Sequence, residues 1–198
     1  MKNIFLNTPK IKYLFFLIFL PLLIILISGH FLEYIQSFFI GALLSYIFRF
    51  PFLLYFTGYL WASAISILIA SWHIYITSEP YIVNLAGDGA DDRAFVEQAL
   101  FPTEKYYYYS NFLRILSRPF LITYIPTFYN FVSINCLFHS LGATAIFKII
   151  RIQNYGNLAE RFSYFSYLFF PLLAIDGLTI MRDGLIASLV SIIIYLVI

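Results

Sequence analysis

Charge is what this chain has least of. Of its 198 residues, 12 are Lys or Arg and 10 are Asp or Glu, so only 11% are charged. Soluble globular domains carry about a quarter. The deficit comes with 62% apolar residues and a mean hydropathy of +0.85. Together these exclude an ordinary soluble domain and point to an integral membrane protein. The net charge of +2 is small, and no nucleic-acid partner is expected from it. Cysteine is nearly absent as well. Cys136 stands alone in an apolar stretch, so an intrachain disulfide is excluded, and no metal-ligand spacing surrounds it. It reads as a small residue facing lipid or core. A nucleophile elbow, a P-loop, a dinucleotide fingerprint and an HExxH motif are all missing, which removes soluble-type nucleotide chemistry. No internal repeat is visible.

What is present is a series of apolar runs, best counted in membrane spans of about 20 residues. The first span is expected at 13–29, behind Lys2, Lys10 and Lys12. It is too long for the apolar core of a signal peptide. Only Ser28-Gly29-His30 follows it, where a cleaved signal would show small residues in an A-x-A-like pattern. A retained signal anchor is therefore expected. The second span is placed at 34–50, with Glu33 and Gln36 at its start and Arg49 at its end. Pro51 marks a tight connection, because proline disfavours helix in the residue before it. The third runs 52–76 and ends in Trp72, His73 and Tyr75, side chains of the kind that collect at a membrane–water interface.

From about 78 to 118 the character changes. This one long polar stretch holds Asp88, Asp91, Asp92, Arg93, Glu97, Glu104, Lys105, Arg114 and Arg118. Loops of this length inside compact folds are usually functional or disordered, and the aromatic content argues against disorder. Within it, 92–100 is expected to be a short helix capped by Asp91 or Asp88. Residues 106–117 suit a helix lying in the interface plane. Residues 119–129 are apolar but broken by Pro119 and Pro126. A fourth span is expected at 129–147, a short polar connection at 148–161 and a fifth span at 162–178, weakened at Pro171. The last apolar run, 184–198, would cover only about 22 Å of a hydrocarbon core of roughly 30 Å. A truncated or partial chain of a longer multi-span protein is the expectation.

The distribution of basic residues in short loops sets orientation. With the N-terminus in the cytoplasm, Lys2, Lys10, Lys12, Arg49, Lys148, Arg151 and Arg161 all fall inside. The 78–118 loop and the 176–183 turn then fall outside. The expected fold is all-α: one polytopic helical membrane domain over 1–198, with about six spans and one long extracytoplasmic loop.

Three aspartates within 88–92, in NLAGDGADDRAF, are the first candidates for chemistry. A carboxylate held near the membrane surface can take a proton from an acceptor hydroxyl. Neighbouring carboxylates can raise its pKa or share a divalent cation. The bland alternative is a solvated turn, because Asp-Gly makes turns and aspartate caps helices. Calcium of the EF-hand kind fits poorly, since the D-x-D-x-D-G order is absent and Glu97 is too close. Arg182-Asp183 is the second candidate. Arg182 can clamp a phosphate, while Asp183 at a helix start is also a natural cap. Asp176 suits a turn. His139, mid-span, is expected to bond across helices, and His30 and His73 look like interface residues. Arg93, Arg114 and Arg118 can form an anion-binding face or simply touch lipid phosphates. The tyrosines at 106–109 can anchor the interface or carry a sugar.

GDGADDRAFVEQAL, NCLFHSLGATAIFKIIR and the proline-bearing span ending LTIMRDGLIASL together resemble bacterial GT-C membrane glycosyltransferases. The nearest group is that of the protein O-mannosyltransferases and aminoarabinose transferases, and the likeness covers about 84–198. It implies an enzyme of the bacterial cytoplasmic membrane that takes a sugar from a polyprenyl-phosphate donor. It also implies Asp88 as the base, with Asp91 and Asp92 as neighbours and a divalent cation as their shared ligand. Arg182 and Arg93 would bind the donor phosphate. Two departures stand out: the acidic loop follows the third span rather than the first, and the usual chain is far longer. A polysaccharide polymerase or ligase, or a transport or assembly subunit, remain alternatives.

Overall fold

Apolar runs in a chain with so little charge become helices, the element that satisfies every backbone polar group within one segment. A computed structural model describes residues 8–77, 108–117, 128–169 and 182–198. Seven helices and no strand occur among the described residues: α1 Thr8–Ile27, α2 Phe31–Ile47, α3 Phe52–Thr77, α4 Tyr108–Ser117, α5 Phe128–Ile152, α6 Asn157–Phe169 and α7 Arg182–Val197. Among the described residues two stretches, Phe52–Trp72 and Tyr129–Ile152, are long and apolar enough to cross a membrane by length and composition.

The first three helices lie close to the expected runs. The polar connection expected at 148–161 is far shorter. Helix α5 continues through Lys148 and Arg151 to Ile152, and α6 starts at Asn157. Basic side chains favour the last turn of a helix, so charge alone does not end one. Backbone does: Asn154 has φ 58° and Gly156 has φ 92°, left-handed conformations that close a helix C-terminus. Of the expected fifth span, α6 covers the part up to Phe169. The expected helix at 92–100 lies outside the described residues.

Helix α2 closes with a bonded turn. The amide of Phe50 donates to the Ser45 carbonyl at 2.8 Å, and that of Arg49 donates to Tyr46 at 3.1 Å. This is a Schellman pair, with Arg49 (φ 55°) at the position usually held by glycine.

The centre of the fold is α5, which packs against α2, α3, α4, α6 and α7. Its residues 130–145 are buried on every side. That interior carries Asn130, Ser133, Asn135, His139, Ser140 and Thr144. The perimeter is apolar instead, with Phe16 and Ile27 on α1, Leu43 on α2, and Val190, Ile193 and Val197 on α7 all exposed. Close approach needs small residues at two crossings. The Tyr55 ring lies directly on Gly41, and a side-chain carbon at Gly142 would come within 3.0 Å of Ser188.

Side-chain bonds give the bundle two ends. Tyr59 donates to the Tyr34 carbonyl at 2.6 Å and Tyr55 to that of Phe38 at 3.0 Å, so α2 and α3 run antiparallel. Gln36 reaches the Leu116 carbonyl at 3.2 Å, which places α4 at the end where α2 begins. The opposite end is marked by Arg49, where Tyr195 donates to the Phe48 carbonyl at 3.3 Å.

Candidate functional site

Asp88, Asp91, Asp92 and Arg93 lie outside the described residues, as do Arg118 and Asp176. The divalent cation expected with the aspartates goes with them. Among the described residues, no group of three or more His, Cys, Asp or Glu comes together to hold a metal. The helices flanking the polar segment are described. Thr77 ends α3 eleven residues beyond Ser66, which pairs with Tyr34 near the start of α2. Helix α3 therefore runs toward the α4 end. On α4, Arg114 donates to the Asn111 side-chain oxygen at 2.6 Å.

Arg182 opens α7. Ser188 lies against Gly142, so Arg182 sits six residues above that level and Phe128 fourteen, toward the same end. At 1.5 Å per residue, the backbone of Arg182 is about 12 Å deeper in the bundle than the head of α5.

Just below the α4 end, α2 and α5 enclose a polar cluster that the sequence registered only as impurities in the second span. His30 flanks α2, and its Nδ1 lies 3.2 Å from Glu33 Oε1. The His30 ring stacks on Tyr129 at 3.5 Å. Glu33 is 8% exposed and stands in the first turn of α2, where a helix N-terminus favours negative charge. Ser133 donates to the Asn130 carbonyl at 2.7 Å. The Glu33 carbonyl lies 3.2 Å from the same hydroxyl, and Ser37 stands 2.6 Å away, either hydroxyl able to donate to the other. Tyr34 and Ser66 continue the chain of hydroxyls toward α3 at 2.8 Å. The signal was available: Glu33, Ser37, Gly41 and Ser45 recur every four residues, which lines one helix face with small or polar groups.

A second cluster lies at mid-depth. His139 Nε2 is 3.2 Å from the Leu168 carbonyl, and its ring stacks on Tyr167 at 5.2 Å. The Tyr167 hydroxyl is 3.1 Å from Ser188. His139 thus ties α6 to α5, and the tyrosine ties α6 to α7. Cys136 is buried in the core as a free thiol.

Chemically, the α4 end offers a buried carboxyl beside an imidazole, and the mid-depth cluster offers an imidazole fixed by a carbonyl. Either can hold or orient a proton. Neither contains an activated nucleophile. No family model matches the chain, and no curated protein or solved structure matches it.

Proposed function

We propose that the chain is a polytopic membrane protein of about six spans with its N-terminus in the bacterial cytoplasm. It moves a sugar from a polyprenyl-phosphate donor to an acceptor on the far face. Asp88 takes the acceptor proton, Asp91 and Asp92 tune it or share a divalent cation, and Arg182 and Arg93 hold the leaving phosphate. The membrane part is supported by the apolar perimeter, where phenylalanine, leucine and isoleucine are exposed, and by two helices among the described residues that are long and apolar enough to span. The observation that carries the transferase reading is the convergence of α3, α4 and the head of α5 at one end. Described helices flank the acidic segment on both sides, and the N-terminus of α7 faces the same end. A lipid-linked donor presents its sugar at such a surface, so base and phosphate clamp can act on one molecule.

The test is transfer of radiolabel from a polyprenyl-phosphate sugar pool in membranes carrying the chain, beside Asp88→Asn at equal expression. Label should reach an acceptor in the parent alone. Equal transfer by both would remove the base assignment. No transfer by either would remove the enzyme reading.

One observation favours a second reading, a transport or assembly subunit: Glu33 and His139 are both buried inside the bundle, as a membrane path for ions requires. A polymerase or ligase is separated by substitution. There, loss of Arg93, Arg114, Arg118 or Arg182 would cost more than loss of the aspartates.

A further inference from the structure

We propose that the cleft at the Arg49 end binds the phosphate of an anionic membrane phospholipid. The cleft has a volume of about 400 Å³ and is lined by Ala42, Ser45, Tyr46, Arg49, Phe50 and Phe52. Arg49 is held with φ 55°, where an L side chain costs about 1–2 kcal/mol over glycine. The Arg49 side chain does not offset that cost by bonding the helix end. The carbonyls of Leu44, Ser45 and Tyr46 are taken by backbone amides, and that of Phe48 by the Tyr195 hydroxyl. The guanidinium makes no hydrogen bond or ion pair among the described residues, which leaves five donors.

The second observation is independent. Ser45 is 1% exposed, and its hydroxyl has no partner among the described residues. Several helical hydroxyls of this bundle bond the carbonyl four residues back, as Thr57, Thr144, Ser188 and Ser191 do. Ser63 and Ser110 share the lack of a partner among the described residues but do not line the Arg49 cleft. Ser45 withholds that bond one turn before Arg49, in the wall of the same cleft. Buried hydroxyls rarely go unpaired, and an unpaired one calls for a ligand or an explanation.

The remaining walls choose the ligand. Ala42, Phe50 and Phe52 are apolar, and the exposed Tyr46 and Phe52 rings flank the mouth. A free phosphate, doubly charged and strongly hydrated, gains nothing from the apolar walls beside that guanidinium and hydroxyl. An amphiphile places a single phosphate on Arg49 and Ser45 and lays its glycerol and chains over the rings. Lys148, Arg151 and Arg161 stand at the same end on α5 and α6, with Glu160 the one acid beside them among the described residues, so the local field favours an anion. The inference rests on the membrane reading above and not on sugar transfer.

The test uses the full chain in a neutral maltoside detergent and follows thermal unfolding during titration with phosphatidylglycerol, phosphatidylcholine or inorganic phosphate. Phosphatidylglycerol should raise the unfolding temperature at the lowest concentration, and inorganic phosphate should not raise it. Arg49→Gly should unfold no lower than the parent without lipid, since glycine relieves the turn. Its half-effect concentration for phosphatidylglycerol should rise at least about tenfold, the value of one hydrogen-bonded charge. Ser45→Ala should move it the same way by a smaller factor. An unchanged lipid response in Arg49→Gly overturns the site. Equal effects of phosphatidylcholine or of free phosphate overturn the choice of ligand. Release of the chain from membranes by alkaline carbonate overturns the membrane reading and this inference with it, whatever the transfer assay gives.

Discussion

Ser37 and Ser133, 96 positions apart in sequence, hold their hydroxyl oxygens 2.6 Å from each other in the interior between α2 and α5. Interhelical hydroxyl bonds of this kind average about 0.6 kcal/mol and reach about 1.7 in membrane proteins. Ser133→Ala should sit near the upper figure, because Ser37 then loses its partner.

The pair also predicts a coupling. Ser37→Ala combined with Ser133→Ala should cost at least about 0.5 kcal/mol less than the sum of the single changes. Denaturant unfolding in mixed micelles measures all three variants. Strict additivity would mean that the hydroxyls do not share a proton.

Glycines divide by mechanism. Gly41→Ala drives a methyl group into the Tyr55 ring and should cost about 1–3 kcal/mol, as overpacking does. Gly29 and Gly156 have open space around a new side chain but positive φ, so alanine there should cost only about 1 kcal/mol through backbone strain. Thermal unfolding of the three variants ranks them. Gly41→Ala matching Gly156→Ala would show that Tyr55 moves aside freely.

The helical runs were legible in the sequence because a lipid-like pattern needs no partner to be read. The ends were less so. Lys148 and Arg151 look like loop residues in a string, yet they belong to the last turn of α5, where the helix dipole welcomes them. Least legible was the polar interior. Ser133 is an ordinary letter until α2 supplies the Glu33 carbonyl, whereas His139, expected to bond across helices, does so to the Leu168 carbonyl of α6. The candidate aspartates stood out through local density alone, a property visible without a fold. The Arg49 cleft did not stand out, since one arginine before Phe50-Pro51 resembles any hairpin.

His139 gives a test that separates scaffolding from chemistry. His139→Leu removes the bond to the Leu168 carbonyl and should destabilise the chain by about 1–3 kcal/mol, the cost of a stranded buried acceptor. His139→Gln can restore a donor and should recover part of this. If the glutamine variant is as stable as the parent and yet transfers no sugar label, His139 acts on substrate.

For the transferase reading, Asp88→Asn should lower transfer by at least about a hundredfold, the usual contribution of a general base. Arg182→Lys keeps the charge but loses the fork that matches a phosphate, and about a tenfold loss should follow. Initial rates on labelled donor read both. A lysine variant with full activity would mean that charge alone suffices at that position.

A helix enclosed on every side poses a problem of assembly order. The chain is made from its N-terminus, so α1, α2 and α3 exist before α5 does, and α6 and α7 arrive afterwards. The early hairpin already has bonds of its own, from Tyr59 to the Tyr34 carbonyl and from Tyr55 to that of Phe38. The faces that α2 and α3 turn toward α5 have no protein partner until the hub is made, and Ser37 waits for Ser133. The polar side chains that lock the bundle thus come into use last, after the hairpin that carries them has formed.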